Sequence, residues 1–145
     1  LKKFKWNGNT DQFLEWWFNA ENSVDARVIE TIKKLREKGI ICYLITNQEK
    51  YRTEYMKKHM KFEDIFNEVI ASANLGVKKP HTEFFEKVLK IIKEKHNISA
   101  QEIQYFDDQQ RHVDEAKKLG IDAYHYASFE EFDIIIKKND LNEKL

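Results

Sequence analysis

The chain has 145 residues, 41% of them hydrophobic and 13% aromatic, enough for one globular domain with a real core and too few for two full domains. Lys plus Arg equals Asp plus Glu at 25 each, so no global field recruits nucleic acid or an anionic membrane surface. The lone cysteine, Cys42, excludes an intrachain disulfide and suits a reducing, cytoplasmic setting. The longest apolar runs, such as residues 40–45, fall far short of a bilayer span, and the polar, charged first residues lack a signal-like apolar core.

In chain order, residues 1–22 come first and stand apart. They hold Phe4, Trp6, Phe13, Leu14, Trp16, Trp17 and Phe18, and the spacing within 11–20 predicts a helix with an aromatic side that needs a partner surface. From Val24 to Lys38, Val28, Ile32 and Leu35 recur at helical spacing, with Asn22 or Ser23 as caps and Gly39 as the stop. The run IICYLITN, residues 40–47, is continuously apolar and predicts a strand buried on both faces. A helix follows over 49–60, a short strand over 68–72, and a long amphipathic helix over 82–96 with Phe84, Phe85, Val88, Leu89, Ile91 and Ile92 inward and His81 as a capping residue. Ser99 and Glu102 have capping-box spacing before a strand over 103–106. A helix over 113–119 stopped by Gly120, a strand over 121–126 and a closing helix over 129–138 complete the pattern. Four strands alternating with helices predict a mostly parallel α/β sheet covered on both faces, with chemistry at the carboxyl ends of the strands.

Polar residues that directly follow strands collect along that edge. They are Thr46 and Asn47 after the first strand, and Asp107 and Asp108 after the third, with Lys79 between them on a loop constrained by Pro80. Each has a plain reading: turn residues, a surface lysine, a helix cap with a solvated neighbour. Two adjacent carboxylates nevertheless repel, and one takes up a proton unless a cation or donors compensate; a divalent hard cation is the usual compensator. Hydroxyl, amide, ammonium and paired acids together suit phosphoryl transfer, with a metal bridging a phosphate oxygen while Lys and Thr bind the others.

The stretches YLITN, NLGVKKPHTEFF and IQYFDDQQRHVDEAKKLGIDAYHY resemble the second, third and fourth motifs of the haloacid dehalogenase (HAD) superfamily, in its phosphatase-like subgroup with a small helical cap. The similarity runs over roughly residues 13–126. It implies a Rossmann-like hydrolase fold, Mg²⁺ dependence, and hydrolysis of a small phosphorylated metabolite through an aspartyl-phosphate intermediate. It further implies that Thr46 binds the phosphoryl group, with Asn47 beside it at the substrate, and that Lys79 stabilises nucleophile and phosphate. Asp108 becomes the metal ligand, with Asp107 supporting it in catalysis. Residues 1–22 then resemble the remnant of a helical cap, and 23–145 an incomplete α/β core.

Two departures accompany the resemblance. Where relatives commonly carry Asn four positions beyond the second acid, this chain has His112. The first motif, a strand ending in Asp-x-Asp that supplies the nucleophile, has no counterpart before Val24; Asp11 and Asp25 lie in helical or capping contexts. In the family topology that strand lies between the strand ending at Thr46 and the strand ending at Asp107, so the expectation is a carboxyl-terminal portion of a longer protein, inactive by itself. The competing expectation is a catalytically inactive HAD-like binding or regulatory domain. Oligomeric state stays open.

Overall fold

The computed structural model describes residues 25–143. The aromatic segment expected to be a cap remnant, with Trp6, Trp16 and Trp17, lies outside them, as do the candidate caps Asn22 and Ser23.

Helix α1 spans Ala26–Glu37, and its N-cap is Asp25, whose carboxylate accepts the Arg27 backbone N–H at 2.9 Å. Gly39, at φ 86°, turns the chain out of the helix in the left-handed region where a side chain would be strained. Strand β1 covers only Tyr43–Thr46, and all four residues are half-buried. The doubly buried strand expected over 40–47 is therefore shorter and more open, and of that apolar run Cys42 alone is buried. The reason is local: the Cys42 backbone is tied to Asn67, N–H to Oδ1 at 2.8 Å and carbonyl to N–H at 2.8 Å.

Helix α2 (Lys50–Lys58) is capped by Glu49, and the short α3 spans Phe62–Ile65. Strand β2 (Glu68–Ala71) leads into a single turn, α4 (Ser72–Leu75), closed by Gly76 at φ 71°. Helix α5 spans Thr82–His96 and buries Phe84, Phe85, Val88 and Ile92, while Leu89 and Ile91 are half-buried. His81 occupies its N-cap position, but its side chain makes no capping bond, contrary to the sequence expectation. A 3₁₀ turn with the expected Ser99–Glu102 capping box precedes β3 (Gln104–Asp107). Helix α6 (Gln110–Lys118), β4 (Asp122–His125) and α7 (Phe129–Glu143) follow.

The architecture is α/β with parallel pairing: β3 lies parallel to β4, with Tyr105 opposite Ala123 and Asp107 opposite His125. The four strands form two two-stranded sheets, β1 with β2 and β3 with β4, where one sheet was expected. No ladder joins β1 to β3 among the described residues.

The described residues divide into two compact units, 25–44 with 48–69, and 45–47 with 70–143. In the first, Cys42, Met56, Phe62, Phe66 and Val69 form a core against which Ile29, Ile32 and Leu35 of α1 pack. In the second, α5 and β3 meet through Phe85 and Tyr105, whose rings sit edge to face at 5.6 Å, and Phe106 meets Phe132 of α7 at 4.8 Å. No helix among the described residues is long and apolar enough to cross a membrane.

Candidate functional site

Side chains alternate faces along a strand, so Tyr105 and Asp107 share the buried face of β3, and Asp107 ends the strand. Directly beyond it, the Asp107 Oδ1 accepts the Gln109 backbone N–H at 2.8 Å, a local bond that starts α6. The other oxygen, Oδ2, accepts from Lys79 Nζ at 2.7 Å and from the Tyr105 hydroxyl, and lies 3.1 Å from His112 Nδ1. A carboxylate offers about four lone-pair sites, and four donors surround this one. Asp107, Lys79 and His112 are 8%, 8% and 3% exposed, so the cluster is buried.

Lys79 reaches the cluster from the loop between α4 and α5. Its backbone is clamped by Asn47, whose amide donates to the Lys79 carbonyl at 2.9 Å and accepts from the Lys79 N–H at 2.8 Å. The Lys79 ammonium also donates, at 3.4 Å each, to the Ile45 carbonyl and the Tyr105 hydroxyl oxygen. These two contacts are long and weak beside the bond to Asp107.

Burial alone pushes the Asp107 carboxyl up; the bonds from Lys79, Tyr105 and the Gln109 backbone, with the Lys79 charge, outweigh it and hold the group well below the usual carboxylate range. Tyr105 is driven strongly upward, first by burial, then by its bond to Asp107 and the charges of Asp107 and Asp108. The phenol therefore stays a donor.

The two adjacent acids thus part company. Asp107 turns inward, where the Lys79 ammonium pairs with it at 2.7 Å. Asp108 is exposed, and its backbone carbonyl lies 2.9 Å from His125 Nε2. Of the residues expected at the site, the structure brings Asn47, Lys79 and Asp107 into direct contact; Thr46 and Asp108 join through these chain neighbours, Thr46 half-buried at the end of β1. The amide of Asn47 is bonded to both backbone groups of Lys79, which clamps the loop that carries the ammonium.

Metal fit follows from these donors. Asp107 is saturated, and no group of three or more His, Cys, Asp or Glu gathers to hold a metal among the described residues. Asp108 remains an exposed hard oxygen donor next to Asp107 in the chain. That suits one protein ligand of Mg²⁺, which is held through one or two carboxylates with waters and substrate phosphate.

Tyr105 escaped sequence reading, and His112, noted there only for standing where relatives carry Asn, was misplaced relative to its helix. Tyr105 lay hidden in a strand, although the period-two pattern that buries Asp107 also places Tyr105 beside it. His112 was set outside a helix expected to begin at Val113; the helix begins at Gln110, which puts His112 on the same buried face as Val113 and Ala116. A separate open groove, lined by residues that include Lys33, Arg36, Ile40 and Asn67, contains none of these groups.

The sequence profile described as haloacid dehalogenase-like hydrolase matches residues 7–125. The sesquiterpene phosphatase astK of Aspergillus oryzae is 33% identical over 102 residues, 70% of this chain and 50% of its own. A HAD family enzyme of Bacteroides thetaiotaomicron, solved as the wild-type protein in complex with magnesium and inorganic phosphate, matches with a TM-score of 0.60 at 27% identity over 70% of this chain and 52% of that one. An uncharacterized protein from Corynebacterium glutamicum matches with a TM-score of 0.62 over 90% of this chain and 83% of its own; at 17% identity it shows the shared fold alone. The chain spans about half the length of the curated relative and of the Bacteroides enzyme.

Proposed function

From a chain that belongs to the haloacid dehalogenase-like hydrolase family, we propose that it carries the lysine and acid side of a Mg²⁺-dependent phosphatase centre acting on a small phosphorylated molecule. The observation that carries this reading is the buried Lys79–Asp107 pair at 2.7 Å with Asp108 exposed next to it. The phosphatase name of the Aspergillus relative and the magnesium and phosphate in the Bacteroides enzyme support it.

In this reading Lys79 keeps its short bond to Asp107 and turns its two long N–H contacts toward a phosphate oxygen, so that positive charge meets the charge that develops on the transferring group. Asn47 holds the Lys79 backbone so that the ammonium reaches inward. The Thr46 hydroxyl, at the end of β1, binds a second phosphoryl oxygen. Asp108 holds Mg²⁺, which when bound supplies Lewis-acid stabilisation of phosphoryl charge. The nucleophilic carboxylate, which forms the aspartyl-phosphate, comes from outside the described residues. The buried thiol of Cys42 fits a reducing, cytoplasmic setting.

The test is turnover of a generic phosphomonoester by the longest natural form of the protein, with Mg²⁺ and with a chelator. Mg²⁺-dependent phosphate release is expected. Absence of both turnover and Mg²⁺ binding would leave an inactive HAD-like binding or regulatory domain as the better reading.

A further inference from the structure

We propose that His112 is a positioning residue: its Nδ1–H, with the Tyr105 hydroxyl, fixes the Asp107 carboxylate independently of Lys79, so that Lys79 can reach substrate without releasing its partner. The kinetic consequence rests on the phosphatase reading above; the geometric claim does not.

His112 sits on the buried face of α6, where its neighbours Val113 and Ala116 are fully buried apolar residues. An imidazole there is costly unless its polar atoms are bonded. One nitrogen, Nδ1, lies 3.1 Å from Asp107 Oδ2. The other, Nε2, is buried without a hydrogen-bond partner among the described residues. A packing residue has no reason to carry that penalty, so the compensating gain lies on the Nδ1 side.

The direction of that bond follows from the acceptor. Asp107 already accepts from the Lys79 ammonium, the Tyr105 hydroxyl and the Gln109 N–H, so its oxygens face His112 as acceptors; Nδ1 therefore carries the proton and, in the neutral ring, Nε2 does not. Oδ2 then receives two donors, Tyr105 and His112, besides Lys79, while Oδ1 receives the Gln109 N–H. With both oxygens anchored from β3 and α6, rotation of the carboxylate is blocked even when the ammonium shifts its weaker contacts. Removing His112 leaves Oδ2 held by Tyr105 and Lys79 alone, so the carboxylate that seats the ammonium can turn and the ammonium loses its fixed position.

Two measurements need no turnover. Ring ¹⁵N correlation spectra of the wild-type protein, at a pH where the imidazole is neutral, should show His112 as the Nδ1–H tautomer; the Nε2–H tautomer would overturn the proposal. Amine-reactive labelling of Lys79, followed by peptide mass, should be slow in the wild type, faster in a folded His112→Ala, and restored toward wild type in His112→Asn, whose amide can donate to the same carboxylate. Equal labelling of wild type and a folded His112→Ala would also overturn it. Should His112→Ala not fold, Tyr105→Phe removes the companion donor and should raise Lys79 labelling; no change there counts against the proposal. In the longest natural form, kcat for a generic phosphomonoester should fall about 10–100-fold in His112→Ala at unchanged KM, the size usual for loss of an outer positioning partner; unchanged kcat in an active protein would refute it. A wild type without turnover counts against the phosphatase reading alone, and the tautomer and labelling results still decide the role of His112.

Discussion

Asp107 and Asp108 are the same residue type one position apart, and the strand's alternation gives them opposite fates. The inward carboxylate meets four donors and a cation; the outward one stays in water and keeps its oxygens available. Their substitutions should therefore separate. Asp108→Asn is expected to abolish Mg²⁺ binding by titration calorimetry, while urea unfolding shifts by no more than about 0.5 kcal/mol, the size usual at an exposed position. Lys79→Met should instead destabilise the fold by about 3–5 kcal/mol, because it leaves a buried carboxylate without its cation. Combining Lys79→Met with Asp107→Leu should recover part of that loss in the same unfolding experiment, since both charges are gone while the Tyr105, His112 and Gln109 donors lose their acceptor.

At the scale of elements, the turns that end helices decide where the strands begin. Gly39 and Gly120 both adopt φ 86°, but their surroundings differ. A methyl group at Gly39 would meet nothing within 4 Å, whereas at Gly120 it would lie 3.1 Å from the Gln101 amide. Gly39→Ala should cost about 1–2 kcal/mol from backbone strain alone, and Gly120→Ala more, because it adds a steric contact; equilibrium unfolding of the two variants measures the difference. The same element logic places the site. Helix α6 begins three residues earlier than the apolar pattern suggests because the Asp107 side chain takes the Gln109 N–H, and that early start carries His112 into the core.

For the molecule as a whole, the Lys79–Asp107 pair links stability to pH. The folded carboxyl titrates below its ordinary value of 3.8, because donors and the lysine charge outweigh burial. A lowered folded value means stability fully present above the unfolded value and lost as pH falls below it toward the folded one. The stability difference between wild type and Asp107→Asn should stay flat from about pH 7 to pH 5 and shrink only below 3.8; a difference that shrank already near pH 6 in thermal or urea unfolding would contradict the assigned pair.

The sequence by itself determined the alternation of helices and strands, the glycine stops after α1 and α6, and the short list of polar groups at strand ends. These depend on periodicity and on backbone conformations few residues tolerate, which are local properties of the chain. Sequence alone could not tell that Asp107 pairs with Lys79, or that Asn47 clamps a loop. Nor could it show that Tyr105 and His112 complete the shell around one carboxylate. Lys79 is 32 residues from Asn47 and 28 from Asp107 along the chain; which oxygen each donor reaches depends on how the β1 end, the Lys79 loop and the β3 end pack, and only the tertiary structure sets those distances.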